Sequence, residues 1–418
     1  MALLIRCSLK LTNEIRIFGK SQMKILVFAP FFPPDPTGSS VFAGQQVQEL
    51  VQRGNEVYVI TNQPDQNAPG METLDESEPM FGTRAVTRLR SARINLGKIT
   101  WNYGIPVSVF GFLRRSVLSE IRKFNADAVI VHSTLFDLSL LGIVWARRHG
   151  KKVIIVSHTA LWHDVFIVNF LMKCYGKLVL GPLIRYSRAK LVCVDKWTFD
   201  NAISFFGRPE NTITIPVAVN LGTMSDGDAS KIANKLGLSG GPFILSLGHV
   251  VPLRDRLNLT RSVPLIVQKY PNMKVIVVGM VKDDSFLKLA EELGVREHFV
   301  IVGAVPHEEI KNYLAFADIE THDLDGRGLG ITSVEAMDAG VPIVAWAVDD
   351  NFPQFSFRSY GPSGFIDDGN PETIAEKIDQ IISDESYRST ILDSQRRLVD
   401  EIYSCKSVTD QYLKLLET

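Results

Sequence analysis

The stretch Asp325–Pro342, DGRGLGITSVEAMDAGVP, joins a glycine-rich loop to the start of a helical pattern. Backbone N–H groups at a helix N-terminus are free and lie at the positive end of the helix dipole, so they bind anions. We therefore expect the amides of Leu329, Gly330 and Ile331 to face a phosphate. Glu335 falls in the first turns of the same helix, where its carboxylate can accept hydrogen bonds from a ribose diol. The loop lacks the GxGxxG spacing that is typical of dinucleotide-binding proteins.

Outside this loop, short apolar runs alternate with helical patterns along the chain. Such alternation is typical of parallel βαβ units with both sheet faces covered. The predicted strands are Lys24–Pro30, Val57–Thr61, Ala128–His132, Val153–His158, Leu191–Val194, Phe243–Leu247, Lys274–Val278, Val300–Val302 and Pro342–Ala345. They form two sets separated by the glycine-rich segment Val217–Gly241. The sequence thus predicts an α/β fold of two Rossmann-like, doubly wound parallel-sheet domains that face a central cleft.

The predicted strands also suggest domain boundaries. Met23 begins the first strand as a true start would, so residues 1–22 are interpreted as an N-terminal extension. The first domain is expected over 23–222 and the second over 223–395, with a C-terminal helix at about 396–418 that packs back on the first domain. Ligands of open parallel sheets bind beyond the carboxyl ends of the strands. The chemistry should therefore lie on the loops that border the cleft.

The first strand is followed by a turn, Gly38-Ser39-Ser40, and by a helical pattern that opens near Val41. Gly38 has no side chain to obstruct a phosphate at the helix N-terminus, and Ser39 would lie on the acceptor side. The alternative is an ordinary strand-to-helix turn that is capped by Ser39 or Ser40.

Two histidines stand at the ends of neighbouring predicted strands. His158 and Thr159 follow the strand that starts at Val153, and His132 ends the strand before it. An imidazole at this edge can donate to a sugar hydroxyl or a phosphate oxygen. We take His158 as the catalytic candidate and assign His132 and Thr159 to the acceptor side, while a structural role for each histidine stays open.

In the second half, the strand Phe243–Leu247 runs into Gly248 and His249, and a basic group follows five or six residues later. An arginine there can fold over a diphosphate and neutralise charge that would otherwise require Mg²⁺. Arg254 is the preferred candidate and Arg256 its rival. A solvated surface arginine is the alternative interpretation.

Composition excludes several classes of protein. The four cysteines are scattered without metal-ligand or disulfide spacing, which favours a reducing, cytoplasmic location. No Asp-x-Asp or histidine cluster indicates a metal, so neither a metal nor another cofactor is expected. Residues 1–222 hold 26 Lys and Arg against 16 Asp and Glu, whereas the remainder holds 19 against 30. No basic and aromatic array accompanies the basic half, so a nucleic-acid partner is not expected.

The longest apolar neighbourhood, Val165–Ile184, contains Lys173 and Lys177 and is followed by further basic residues up to Lys190. It does not read as an uninterrupted membrane span. It suits a helix that lies in an anionic membrane interface, and the alternative is a buried helix whose lysines reach the surface.

Taken in order, these motifs resemble glycosyltransferase family 4 of the GT-B superfamily over nearly all of Met23–Leu416. Beside Gly38, Arg53–Val57 (RGNEV) resembles the family's RGHEV, and Ser157–Thr159 its strand-end His-Thr. Ile215–Asn220 (IPVAVN) is similar to IPNGVD, and Gly328–Pro342 resembles the signature GFG…EAMA.G.P.

The resemblance implies a retaining transferase of the hexosyltransferase type that moves a sugar from a UDP- or GDP-sugar to an acceptor. It implies front-face transfer, in which the leaving phosphate takes the acceptor proton. Residue by residue, Arg254 takes the position of the diphosphate-binding Lys and Glu335 that of the ribose-binding Glu. The amides from Leu329 to Ile331 take the positions that hold donor sugar and phosphate. His158 takes that of the group supporting the sugar and transition state, and Gly38 that of the phosphate contact in the acceptor domain.

Three departures bear on the donor. Arg327 stands where the family has the first of two glutamates eight positions apart, which puts the donor sugar in doubt. His249 replaces the usual Arg beside the diphosphate, and Arg256 or Arg327 would have to compensate. The sequence Asp349–Pro353 replaces an expected glycine pair.

These departures leave two alternatives open. The first is a degenerate, non-catalytic protein that only binds nucleotide sugars, and the second is a GT-B epimerase or hydrolase. The basic first half suggests an anionic or lipid-linked acceptor in polysaccharide or glycolipid biosynthesis, with peripheral contact at the cytoplasmic membrane face. A soluble acceptor is the alternative.

Overall fold

A computed structural model describes residues 22–35, 37–64, 79–100, 105–163, 165–206, 211–220, 226–238, 240–252, 254, 256–326, 329–347 and 356–417. Within these residues the chain forms one seven-stranded sheet, one four-stranded sheet and two short two-stranded pairs. The strands of the two larger sheets pair in parallel, so the predicted α/β class with two doubly wound sheets is confirmed.

The strands include the predicted runs and several short ones besides. Their bounds are β1 Lys24–Ala29, β2 Glu56–Asn62, β3 Ala85–Leu89, β4 Ala92–Ile94, β5 Ile105–Val107, β6 Ala128–His132, β7 Lys152–Ser157, β8 Lys190–Cys193, β9 Thr212–Thr214, β10 Phe243–Leu247, β11 Lys274–Val278, β12 Phe299–Gly303, β13 Ile319–Glu320, β14 Ala345–Trp346 and β15 Phe365–Ile366. The strand expected over Pro342–Ala345 is shorter, because Ile343 makes a single bridge to Glu320 and β14 pairs with β15.

The helices mostly follow the strands. Their bounds are α1 Gly38–Gln52, α2 Val109–Phe112, α3 Arg115–Phe124, α4 Asp137–Arg148, α5 Phe166–Tyr175, α6 Gly181–Ser187, α7 Lys196–Phe206, α8 Asp226–Lys235, α9 Leu257–Lys269, α10 Ser285–Glu292, α11 Ile310–Leu314, α12 Ile331–Asp338, α13 Pro371–Ser383, α14 Glu385–Leu398 and α15 Cys405–Glu417. One π-turn, Gly176–Leu180, joins α5 to α6, and another, Val399–Tyr403, extends α14. Helix α1 begins at Gly38, three residues before the predicted start, because Thr37 adopts the extended N-cap conformation.

The first sheet has the order β3-β2-β1-β6-β7-β8-β9 and the second β12-β11-β10-β13. Side chains along β1 alternate between two apolar cores, with Ile25 and Val27 on one face and Leu26 and Phe28 on the other. Both faces are therefore covered, which explains why the strand reads as a continuous apolar run.

The strand order reverses between β1 and β6 in the first sheet and between β10 and β13 in the second. Loops diverge at such a switch point and leave a crevice at the carboxyl ends of the two strands. Each domain therefore offers one crevice whose position is set by topology.

Helix α15 lies against the first sheet. Lys152 at the start of β7 donates to the carbonyls of Leu416 and Glu417 at 3.1 and 3.0 Å. Arg53, just after α1, pairs with Asp410 and donates to the Lys406 carbonyl. The chain thus returns to the first domain after completing the second.

We predict that Leu413→Ala lowers the free energy of unfolding by about 2–5 kcal/mol, because it removes a buried side chain of α15 and leaves a cavity. The neighbouring exposed Lys414→Ala should change it by less than about 0.5 kcal/mol. Urea unfolding followed by tryptophan fluorescence measures both values. Equal effects of the two substitutions would contradict the packing of α15.

Candidate functional site

The two switch-point crevices face each other. Gly38, at the N-terminus of α1, lies so close to the second domain that an added Cβ would be 3.2 Å from Ile331 Cδ1. Ile331 is the first residue of α12, so the N-termini of α1 and α12 meet across the cleft. Both helices direct their positive ends toward this point.

The wall from the first domain carries the two predicted histidines as a pair. His132 Nδ1 lies 2.9 Å from His158 Nε2, and the two rings are nearly parallel, at 9°. Phe42 of α1 packs edge-on against both rings, with centroids 5.9 and 5.5 Å away. The structure therefore brings His132 and His158 together, at the carboxyl ends of β6 and β7.

Burial keeps both imidazoles neutral at physiological pH. It lowers the pKa of His158 to about 4. It also lowers the pKa of His132, and a charge on His158 would lower it further. His132 Nε2 is buried and has no hydrogen-bond partner among the described residues. The pair can act through hydrogen bonds without carrying positive charge.

The other two acceptor-side candidates, Thr159 and Ser39, are less buried than His132. Thr159 is exposed, and its carbonyl lies 3.5 Å from Ser157 Oγ. Ser39 Oγ lies 3.3 Å from Thr37 Oγ1 in the first turn of α1. Neither Ser39 nor Ser40 provides the N-cap bond considered from the sequence, because the cap residue is Thr37 and no side chain caps α1.

The wall from the second domain is built around the N-terminus of α12. The Gly330 N–H donates to Asp323 Oδ2 at 2.6 Å, so a carboxylate of the protein already occupies this amide. Arg254 Nη1 lies 2.9 Å from the other oxygen of Asp323, and a Cβ added at Gly330 would collide with Nη1. Leu329 is partly buried beside them.

Arg254 remains 40% exposed and so is accessible from the cleft. The negative charge of Asp323 raises its pKa, and Asp195 of the first domain adds to this effect. Asp195 follows β8 and accepts from the Thr198 N–H at 2.7 Å. Burial raises the pKa of Asp195, while Thr198 and Arg254 oppose the rise. Each domain thus places a carboxylate near Arg254.

The rival arginine has a different role. Arg256 is buried, with φ of 68°, and donates to Ser246 Oγ and to the carbonyls of Leu247, Gly248 and Arg254. These bonds fix the loop after β10. Arg256 therefore stabilises the loop after β10 through buried hydrogen bonds, whereas Arg254 keeps an exposed guanidinium.

His249 accepts the Met280 N–H at Nδ1, at 3.0 Å, which leaves its proton on Nε2 in the neutral ring. Burial lowers the pKa of His249, and the charges of Lys282 and Arg256 lower it further. His249 is therefore an uncharged donor where the usual arginine would supply a cation.

Glu335 is almost fully buried in α12. Its Oε1 lies 2.7 Å from His307 Nε2, and its Oε2 has no partner within the described part of the chain. Burial lowers the pKa of His307, but the hydrogen bond and negative charge of Glu335 outweigh this and raise it. One carboxylate oxygen is thus held, and the other is buried without a partner among the described residues.

Arg327 and the segment Asp349–Pro353 lie outside the described residues. Within the residues that the structure describes, no group of three or more His, Cys, Asp and Glu side chains is arranged to hold a metal ion.

Sequence reasoning missed Asp195 and His307. It also missed three buried residues near α12, which are Glu320, His322 and Asp323. Asp195 and His307 follow predicted strands and could have been found by inspecting every strand end. Strand β13 consists of Ile319 and Glu320 alone, so no apolar run marks it and the residues after it gave no signal.

Comparisons with known proteins agree with this architecture. The family model "Glycosyltransferase Family 4" matches residues 36–222, and "Glycosyl transferases group 1" matches residues 228–398. The structure of Anabaena HepE in complex with UDP and glucose superposes with a TM-score of 0.66 at 16% identity, covering 95% of this chain and all of HepE.

Two curated relatives are similar in sequence. The GDP-mannose-dependent alpha-(1-6)-phosphatidylinositol monomannoside mannosyltransferase of Mycolicibacterium smegmatis is 27% identical over 58% of this chain and 61% of its own length. Alpha-monoglucosyldiacylglycerol synthase of Acholeplasma laidlawii is 23% identical over 94% of this chain and 98% of its own. Both family models and both relatives agree with the resemblance drawn from the motifs, and the chain belongs to the family 4 glycosyltransferases of the GT-B type.

Proposed function

We propose that the protein transfers a sugar from a UDP- or GDP-sugar to a lipid-linked acceptor at the surface of an anionic membrane. The observation that carries this proposal is the meeting of the α1 and α12 N-termini at Gly38 and Ile331, beside Arg254. Two positive helix ends and a guanidinium converge on one point, and a diphosphate is the ligand whose charge suits them.

In this proposal the diphosphate lies between the two helix ends. Arg254 and the amides that follow Gly330, starting with Ile331, bind its oxygens from one side, and Gly38 lets it approach from the other. The positive charge of Arg254 takes the place of a divalent metal. Glu335 Oε2, buried and unpartnered within the described residues, would accept from the ribose hydroxyls.

The transfer step breaks the bond between the anomeric carbon and the phosphate oxygen and forms one from that carbon to the acceptor oxygen. Retention requires that both events occur on the same face of the sugar, and the acceptor proton then passes to the leaving phosphate oxygen. His158 is neutral, so it supports the sugar through a hydrogen bond and adds no charge beside the developing oxocarbenium ion. His132 fixes the orientation of its ring.

Exposed apolar side chains lie on α2 and α5 of the first domain. Phe166 is 83% exposed and Phe110 is 84% exposed, and Ile167, Phe170 and Leu171 are also exposed on α5. Helix α5 begins eight residues after His158, at the same carboxyl edge of the sheet. Asp137, at the N-terminus of α4, binds the backbone of Ser108 and Val109 and so holds α2 at this edge too.

The continuous helix Phe166–Ser187 has the length and apolar composition of a membrane span. One side of it is buried in the first domain, where Gly176 packs against Leu161 and Phe205. The opposite side exposes Leu178 beside Lys173 and Lys177, and the segment contains no Asp or Glu. A packed face, an apolar outer face and only basic charges suit a helix that lies in the interface of an anionic bilayer.

The activities for which the two relatives are named are consistent with such an acceptor. One acts on a phosphatidylinositol monomannoside and the other makes a glucosylated diacylglycerol. We therefore propose a peripheral location at the cytoplasmic face of the membrane.

We predict that one nucleoside diphosphate among UDP, GDP and ADP raises the melting temperature of the purified protein, with or without EDTA. Arg254→Ala should weaken its binding about tenfold to a hundredfold, because a charge-assisted contact is lost. The exposed Arg261→Ala, on α9, is the matched control and should leave binding unchanged. Thermal shift and calorimetry measure these values. No response to any nucleotide would favour a degenerate fold, and a response that requires metal would overturn the role of Arg254.

We predict that His158→Ala lowers kcat by about a hundredfold or more, whereas Glu335→Ala mainly raises the donor KM. Only His158 lies near the developing charge. Steady-state kinetics with a lipid extract as acceptor separates the two effects. Equal changes in kcat and KM for both variants would contradict this division.

The low pKa of His158 also predicts a pH dependence. Its pKa in the folded state lies below the ordinary value of 6.5, so the native ring stays neutral until about pH 4. The unfolded state therefore binds a proton first, and stability falls as pH drops from 6.5 toward 4, by about 1.4 kcal/mol per pH unit for one such group. Comparing urea unfolding of the wild type and His158→Asn at pH 7.5 and 5.0 should show a smaller loss in the variant. An identical loss would show that His158 titrates normally.

We predict that replacing Phe166, Phe170 and Leu171 by Ser lowers binding to vesicles of anionic phospholipid at least tenfold, since each side chain loses apolar burial. A control with Ser at Leu265 and Leu293, two exposed leucines of the second domain, should bind like the wild type. Co-sedimentation at low and high salt measures both. If the wild type itself fails to sediment at low salt, the membrane part of the proposal is wrong.

A further inference from the structure

A cluster of charged side chains is buried beneath the N-terminus of α12. Glu320 is the last residue of β13, and His322 and Asp323 lie two and three residues after it. Each of these three residues is at most 4% exposed. Burying two carboxylates is costly unless their oxygens are paired and hydrogen-bonded. The pattern of contacts shows how that cost is offset.

The inner part of the cluster joins Glu320 to His322. Glu320 Oε1 lies 2.6 Å from His322 Nδ1, and its Oε2 lies 3.2 Å from Ser333 Oγ. The other ring nitrogen, His322 Nε2, lies 3.2 Å from Asp323 Oδ1 and 3.1 Å from Thr332 Oγ1. Both nitrogens are therefore engaged, which fixes the orientation of the ring.

The outer part joins Asp323 to Arg254. Asp323 Oδ2 accepts from the Gly330 N–H and, at 2.8 Å, from Ser333 Oγ, while Oδ1 pairs with Arg254 Nη1. Burial favours the neutral form of Asp323, but Arg254, His322 and these hydrogen bonds outweigh it and lower the pKa of Asp323. Asp323 is thus a buried carboxylate that stays ionised.

Arg254 differs from the others because its side chain is 40% exposed. Its contacts with Asp323 and with His322, at 2.9 and 3.2 Å, are both made through Nη1. Among the described residues, side chains therefore hold the planar guanidinium at Nη1 alone, and Nη2 and Nε can bind a ligand in the cleft.

The geometry points to Asp323 as a positioning residue that sets the guanidinium of Arg254 over the N-terminus of α12 before a diphosphate binds, with Glu320 and His322 holding Asp323 in place. The inference rests on the proposed function, in which Arg254 binds the donor diphosphate. An arginine held in its binding geometry loses less conformational freedom when the ligand arrives, so affinity rises. The Asp323 carboxylate also accepts the Gly330 N–H. A phosphate would therefore bind the amides that follow Gly330.

The test compares three variants by calorimetry, using the nucleoside diphosphate that gives the largest thermal shift, and inorganic pyrophosphate. Asp323→Asn keeps the shape and one acceptor oxygen, replaces the other oxygen with an NH2 group and removes the charge, and we expect a roughly tenfold rise in Kd with kcat at saturating donor little changed. Glu320 is separated from Arg254 by His322, so Glu320→Gln should raise Kd by a smaller factor. Asp318→Asn removes a carboxylate that binds the Phe243 N–H elsewhere in the domain and should leave Kd unchanged.

A double-mutant cycle separates positioning from direct contact. In the Arg254→Ala background, Asp323→Asn should have no further effect on Kd, because the group it orients is gone. A tenfold loss that persists there would overturn the inference, as would a loss confined to the nucleoside diphosphate with pyrophosphate affinity unchanged. If Asp323→Asn does not fold, the same cycle with Glu320→Gln decides.

The outcome also distinguishes this inference from the proposed function. If Arg254→Ala weakens binding and neither Asp323→Asn nor Glu320→Gln does, positioning is wrong and the donor site stands. If Arg254→Ala has no effect, or no nucleotide binds, both fail.

Discussion

The site depends on two topological switch points that face each other. In each sheet the loops diverge where the strand order reverses, between β1 and β6 and between β10 and β13. Helices that follow these strands start at the crevice, so their positive ends point into it. The close contact of Gly38 with Ile331 shows that the two crevices meet. A large side chain at position 38 would separate the two helix ends, and the proposed diphosphate site depends on their closeness.

The sequence predicted the parts of this arrangement that long apolar runs and short motifs encode. β1, β6, β7, β10 and β11 lie where expected, because strands buried on both faces leave an uninterrupted apolar signal. The placement of Glu335 in α12 followed from the glycine loop before it. The pairing of His132 with His158 could not be predicted, because it depends on the register of β6 with β7 and on side-chain rotamers.

The missed residues share a different cause. Glu320 ends a strand of only two residues and His322 lies just after it, and polar side chains at such a position read as a surface loop. They are buried because Ile343 bridges to Glu320 and α12 covers them. Burial here comes from tertiary packing, and the local pattern argues against it. Arg256 was misleading for a similar reason. A basic residue in a loop is expected to be exposed, but Arg256 is turned inward and donates to backbone carbonyls.

The link between the apolar surface and the chemistry is a short piece of chain. The segment from His158 to Phe166 can span at most about 28 Å when fully extended, and it is tied down along its length. The Leu161 N–H donates to Asn201 of α7 at 2.7 Å, and the His163 N–H donates to Asn169 of α5 at 3.3 Å. A membrane that contacts α5 would therefore lie at a fixed, short distance from His158. Only acceptors whose reactive hydroxyl rises a limited height above the bilayer could reach it, so the same loop that carries the histidine would also select the acceptor by the size of its head group.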